Sequence, residues 1–165
     1  MSVSPDDFRQ TLARFASGVT VISTYKEGAR PIGVTVSAFT SVSLSPPLVL
    51  ICLDNATSDL RTYVETKVFG INILADSQAD VSNAFAFPGP KPPFEQVSYR
   101  QGVLDLPMLE GTLASLECRV EAVYPGGDHV IIVGAVEHAS WRDDLQPLIY
   151  ATGRYCALVP LVPKT

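Results

Sequence analysis

Residues 33–53 read GVTVSAFTSVSLSPPLVLICL, and from Pro31 to Leu53 the chain carries no charged side chain. Hydroxyls recur through the stretch all the same. Successive side chains of a strand face opposite ways. Thr35, Ser37, Ser41, Ser43 and Ser45 share one parity, and Val34, Val36, Ala38, Val42 and Leu44 share the other. One face is therefore apolar and the other is lined with hydroxyls, broken by Phe39. A solvent face ordinarily includes Lys or Glu. Without them the row is either a sheltered polar surface, suited to a phosphate or a polar heterocycle, or an ordinary half-exposed strand. The stretch reads as one long strand from Ile32, interrupted at Pro46-Pro47 and followed by a buried strand, Leu48 to Leu53.

The flanking segments read as more strands and a few short helices. Ser4-Pro5-Asp6-Asp7 is a helix start, with a hydroxyl cap, proline at the first position and acids facing the dipole. Phe8, Leu12 and Phe15 follow at helical spacing, and Gly18 is expected to end that helix. Val19 to Tyr25 is rich in β-branched residues and reads as a strand that turns at Glu27-Gly28. Thr57-Ser58-Asp59 is expected to open a second helix, with Leu60, Tyr63 and Val64 on one face. Val68 to Leu74 is a strand. Ser77 and Asp80 resemble a capping box for a helix carrying Val81, Ala84 and Phe85. Phe87 to Pro93, FPGPKPP, cannot be regular structure, because proline removes donors and fixes φ; it is a loop or lid. Leu113 to Tyr124 and His129 to Ala139 flank PGGD, a hairpin signal. PLIYATGRYCALVP supplies a last strand or two. This pattern is mainly β, a barrel with small helical additions. Neither GxGxxG nor GxxxxGK[ST] occurs.

The 165 residues are expected to form one domain, 1–165. A composition of 47% hydrophobic and 18% charged residues is that of a globular chain. A net charge of −5 argues against nucleic acid and anionic membrane surfaces, both of which attract cations. Cys52, Cys118 and Cys156 stand singly in apolar runs and read as reduced thiols, pointing to the cytoplasm. MSVSPDDFRQ has no apolar core of a signal peptide. No apolar run is long enough to span a bilayer.

Several residues are candidates for chemistry, each with a plain structural alternative. Asn55, Thr57 and Ser58 stand at the expected helix start, where they either bind an anion or cap the helix. Asn72 interrupts the apolar VFGINILA and bonds either a ligand edge or neighbouring backbone. His129 follows Gly126-Gly127-Asp128 at the hairpin and is either placed for chemistry or simply solvated. With two histidines and no HExxH, no catalytic metal is expected. No GxSxG supports nucleophilic hydrolysis.

Taken together, FRQTLARFASGVTVIST, the 33–53 stretch, FGINILADSQADVSNAFA, GTLASLECRVEAVYPGGDHVIIVGAVE and PLIYATGRYCAL resemble, in order, the flavin reductase-like family. TVSAFTSVSLSPPLVL and GDHVIIVG are the most specific blocks. The similarity runs from about Phe8 to Leu158 and is strongest to reductase components of two-component flavin-dependent monooxygenases. It implies an FMN-binding split β-barrel with short peripheral helices. It also implies a homodimer with FMN or FAD at the subunit interface, and NADH or NADPH as hydride donor. Reduced flavin would pass to a partner monooxygenase. By the same resemblance Thr35, Val36 and Ser37 lie along the ring and ribityl chain, and Asn55 and Ser58 approach the phosphate. Asn72 and Ile73 border the ring, and His129, Arg154 and Tyr155 match the nicotinamide side. Relatives carry a Lys/Arg-Phe pair in the loop after the third helix; here Pro92-Pro93 separates Lys91 from Phe94. A non-catalytic flavin carrier, an oxidase of a pyridoxine-type substrate and a flavin-free barrel are the rival readings.

Overall fold

Twelve strands and three α-helices form among residues 3–159, which the computed structural model describes. The outer bounds of the expected domain, and Pro160 at the end of the last quoted stretch, lie outside the described residues. The strands are β1 (Ser17–Gly18), β2 (Thr20–Lys26), β3 (Arg30–Val36), β4 (Phe39–Leu44), β5 (Pro47–Asp54), β6 (Val68–Ile73), β7 (Tyr99–Gln101), β8 (Pro107–Leu109), β9 (Ala114–Gly126), β10 (His129–Trp141), β11 (Ile149–Ala151) and β12 (Arg154–Cys156). The helices are α1 (Pro5–Leu12), α2 (Leu60–Glu65) and α3 (Ala79–Ala86).

Seven strands make one antiparallel sheet in the order β3-β2-β6-β9-β10-β5-β4. Its two edges, β3 and β4, are separated in the chain by Ser37 and Ala38 alone. A flat sheet would hold those edges six strands apart, so the sheet must roll up until they meet. Ala38 O accepts from Cys52 N (3.0 Å) at the junction, and no ladder joins β3 to β4. The result is a split barrel.

Ile22, Ile51, Leu53, Phe69, Ile71, Cys118 and Ile132 fill the barrel interior, and Tyr63 of α2 plugs one end. A second cluster, including Val21, Leu74, Phe85, Phe94 and Leu148, lies outside the sheet beneath α3 and the proline loop. Strand β2 is therefore covered on both faces. Its polar residues are satisfied within the sheet: Thr20 Oγ1 donates to Val36 O (2.7 Å) and Thr24 Oγ1 to Val68 O (3.1 Å).

Four expectations change. The long strand breaks at Ser37-Ala38, because the chain crosses there from one sheet edge to the other. That crossing, and a bulge between Ser41 and Ser43, reset the parity of β4. Phe39 packs against the barrel core, while Val42 and Leu44 are 50% and 92% exposed. The first helix ends at Ala13, and Gly18 instead pairs with Ile149 in the small sheet β1-β11-β12. Helix α2 starts at Leu60 after Asp59, which adopts a left-handed φ of 59° without a side-chain cap. Ser77 does not cap α3; Gln78 Oε1 accepts from Ala75 N (3.0 Å) at that corner.

Candidate functional site

Where β3 leaves the sheet, three elements converge on a cleft of about 540 Å³. Thr35 and Ser37 form one wall, Ser82 and Asn83 of α3 a second, and Tyr150, Arg154 and Tyr155 of the β11–β12 hairpin a third. Thr35 Oγ1 donates to Ser82 O (2.7 Å), which ties β3 to α3. Tyr155 OH lies 2.9 Å from Ser82 Oγ and 3.0 Å from Asn83 Oδ1, which ties the hairpin to the same helix. The Tyr150 and Tyr155 rings meet edge to face at 5.6 Å. Phe87, 79% exposed, stands at the mouth.

The volume falls in the range of small-molecule sites, and aromatic walls with a few convergent polar groups suit a planar heterocycle. Thr35 has its proton engaged, so its hydroxyl presents an acceptor to the cleft. Ser37 Oγ and the Arg154 guanidinium have no hydrogen-bond partner among the described residues. They are the groups free to meet a ligand.

Of the residues expected at the site, Thr35, Ser37, Arg154 and Tyr155 come together here. Val36 turns its side chain into the barrel core, 7% exposed, so only its backbone faces the cleft wall. Asn72 is fully buried and saturated by protein. Its Nδ2 donates to Val21 O and Ser23 Oγ (both 3.0 Å), and its Oδ1 accepts from Leu109 N (2.8 Å). Through Leu109 this amide pins β8 to the sheet. Ile73 packs against the barrel cluster.

Asn55 and His129 meet at the β9–β10 turn instead. Asn55 N donates to Asp128 O (2.9 Å) and Asn55 Nδ2 to Gly127 O (3.4 Å). His129 Nδ1 lies 2.7 Å from Asp128 Oδ1, and this hydrogen bond, with the imidazole's charge, holds the Asp128 carboxyl below its usual range. In the neutral ring, a proton on Nδ1 leaves Nε2 as an acceptor. Ser58 lines a third region, a groove between the β2–β3 hairpin and the proline loop. Apart from Ile73 and the buried Asn72, the candidate residues thus fall in three separate places.

Ser82, Asn83, Phe87 and Tyr150 line the cleft without having been singled out in the sequence. Ser82 and Asn83 read as the polar positions of an amphipathic helix, and no local signal distinguishes a cleft-facing polar position from a solvated one.

Residues 12–159 match the family model described as the flavin reductase like domain. The chain is 43% identical over 158 residues to the NADH-dependent flavin reductase of a Rhodococcus species, covering 94% of this chain and 88% of that protein. It is 38% identical to the reductase component of 4-hydroxyphenylacetate 3-monooxygenase from Thermus thermophilus, covering 92% and 95%. The NADH:FAD oxidoreductase of Streptomyces globisporus, solved with NAD and FAD fragments, superposes with a TM-score of 0.90 at 31% identity and 99% coverage of both chains. A Sinorhizobium meliloti chain of known structure superposes with a TM-score of 0.91 at 37% identity; 94% of this chain spans 54% of that longer one. With its split barrel and near-complete family match, the chain belongs to the flavin reductase-like family.

Proposed function

We propose that this chain is an NADH-dependent flavin reductase that supplies reduced FMN or FAD to a partner flavin-dependent monooxygenase. The observation that carries the reading is the cleft where β3, α3 and the β11–β12 hairpin meet, set in a chain of this family. When bound there, flavin supplies the acceptor for a hydride from the nicotinamide of NADH.

The protein's part is to bind, orient and exclude water. Ser37 and the acceptor face of Thr35 meet the polar edge of the ring. Tyr150 and Tyr155 give an aromatic wall against which planar rings pack. Arg154 places a positive charge where hydride transfer adds negative charge, and such charge stabilisation is worth most in a site closed to water. His129 orients the nicotinamide through Nε2, with Asp128 fixing the tautomer. No side chain need act as acid or base.

Asn55, Ser58 and His129 lie outside the cleft of a single chain, which supports a site completed between two copies. Val42 and Leu44 on β4, just past the Ser37 rim, add an exposed apolar strip that a homodimer would bury. No helix among the described residues is long and apolar enough to cross a membrane. The three cysteines are free, in keeping with a reducing cytoplasmic compartment.

The test is loss of the nicotinamide absorbance band with purified protein, NADH or NADPH, and FMN, FAD or riboflavin in turn. Oxidation that depends on added flavin is the expected result. Tight flavin binding without oxidation would replace the enzyme by a flavin carrier. Ser37→Val is expected to weaken flavin binding about tenfold, the effect of losing one hydrogen bond at a ligand edge.

A further inference from the structure

We infer that Phe87 closes on the flavin ring in the cleft and sets how long the ring stays there, an assignment that rests on the flavin reductase reading above. Helix α3 buries one stripe, in which Phe85 packs with the second apolar cluster. A residue two positions on falls outside an i, i+3, i+4 stripe. Pro88 disfavours helical backbone in the residue before it, and Phe87 ends α3 with φ −131° and ψ 70°. Its N–H still donates to Asn83 O (2.9 Å), so the backbone is anchored. The ring is not. It is exposed, belongs to neither apolar cluster and stacks on no other aromatic ring among the described residues.

A single exposed phenyl ring is ordinary on a protein surface, and it is the position of this one that matters. Phe87 and Asn83 border both the cleft of about 540 Å³ and a neighbouring one of about 480 Å³ lined by Gly89, Pro90 and Lys91. The ring therefore stands on the ridge between two open spaces, and rotation about its two side-chain torsions carries it over the first. That cleft already supplies Thr35 and Ser37 for the polar edge of a ring, and Tyr150 and Tyr155 for an aromatic wall. On the α3 side it has one aromatic residue, Phe87. Closing it over a bound ring buries apolar surface of both partners and keeps water from the place of hydride transfer.

The flavin is the occupant this arrangement fits. His129, which orients the nicotinamide, stands outside the cleft at the β9–β10 turn, and the groups that line the cleft are those that meet the flavin ring. Contact with the face of the ring is blind to the tail, because riboflavin, FMN and FAD share the same ring system. Phe87 should thus strengthen the binding of all three alike. A flavin that must leave reduced for a partner oxygenase needs a grip that opens without disturbing the fold. A side chain with no packing of its own opens in that way, and affinity set by such a contact falls mainly on the rate of release.

Quenching of flavin fluorescence measures Kd for riboflavin, FMN and FAD with the wild-type protein, Phe87→Ala and Phe87→Trp, and stopped flow gives the release rates. Phe87→Ala is expected to weaken all three flavins about tenfold, by factors that agree within about twofold, chiefly through faster release. Phe87→Trp should stay within about threefold of wild type, because it restores a planar face. Melting temperature and oligomeric state should not change in either variant. Unchanged Kd values in Phe87→Ala overturn the assignment. So does a loss confined to FAD, which would give the ring to the adenosine, or a raised KM for NADH with flavin Kd unchanged, which would give it to the nicotinamide. A Phe87→Ala protein that turns from dimer to monomer overturns it as well, since the ring would then be a contact between copies. If wild type binds flavin but oxidises no NADH, the reductase reading fails while the ratio of Kd values still decides the role of Phe87. Wild-type protein that binds no flavin overturns both.

Discussion

At the scale of single residues, burial and neighbouring charge decide which side chains are reactive. Cys118 is fully buried in the barrel, and burial, with a lesser contribution from the adjacent Glu117 charge, pushes its thiol up to about 12. Cys52 is shifted the same way by burial. A thiol held protonated is a poor nucleophile. Cys118 should therefore resist iodoacetamide at pH 8 and react on unfolding in guanidinium, as read by mass spectrometry of the intact and denatured protein. The linkage has a definite sign. The folded chain keeps a proton that the unfolded chain releases above its ordinary value of 9.0, so this group lowers stability as pH rises from about 9 towards about 12. His129 opens β10 with its side chain 39% exposed. His129→Ala should raise KM for NADH about tenfold or more through lost positioning, with an unchanged melting temperature. Unchanged KM and kcat would remove His129 from the site.

At the scale of elements, polar groups clamp segments that the hydrophobic pattern leaves loose. Glu117 of β9 is 2% exposed and accepts from Val103 N (2.9 Å) and Leu104 N (2.6 Å), holding the turn between β7 and β8. Gly102 makes room for it: a Cβ there would stand 2.6 Å from Glu117 Oε2. Glu117→Ala should cost about 2–3 kcal/mol, because two backbone donors lose their acceptor, and a lowered urea midpoint would record it. An unchanged midpoint would mean that water replaces the carboxylate freely. Gly33 plays a related part nearer the site. A Cβ on it would lie 2.7 Å from Phe85 Cε1 and 3.2 Å from Phe94 Cε2, so its absence lets α3 and the proline loop close on β3. The sequence announced α3, β5, β6 and the β9–β10 hairpin, since each carries its own periodic pattern or turn signal. It gave no warning of the Glu117 clamp, whose partners lie 13 and 14 residues away in a loop without periodicity.

At the scale of the whole molecule, surface hydrophobicity points to assembly. Val42, Leu44, Phe15 and Trp141 are 50%, 92%, 78% and 73% exposed. Single apolar residues on a surface are ordinary, but an uncharged strand edge is an invitation to pairing. Leu44→Asp should convert a dimer into a monomer in light scattering, with its circular dichroism intact, and should weaken flavin binding if the site is shared. A wild-type chain that runs as a monomer at micromolar concentration would remove the homodimer from the reading.

The sequence by itself determined the strand-rich class, the hairpins, the hydroxyl-bearing run and the order of family motifs, because these are set by residues a few positions apart. Only the tertiary structure decided that β3 and β4 are separate strands at opposite edges of a rolled sheet. It also decided that Asn72 is used up inside the protein, and that Thr35 and Ser37 meet Arg154 and Tyr155 from the far end of the chain. Parity and propensity act along a strand and stop where the chain leaves the sheet. Which polar group finds a partner depends on segments brought together by closure of the barrel, and no local pattern encodes that distance.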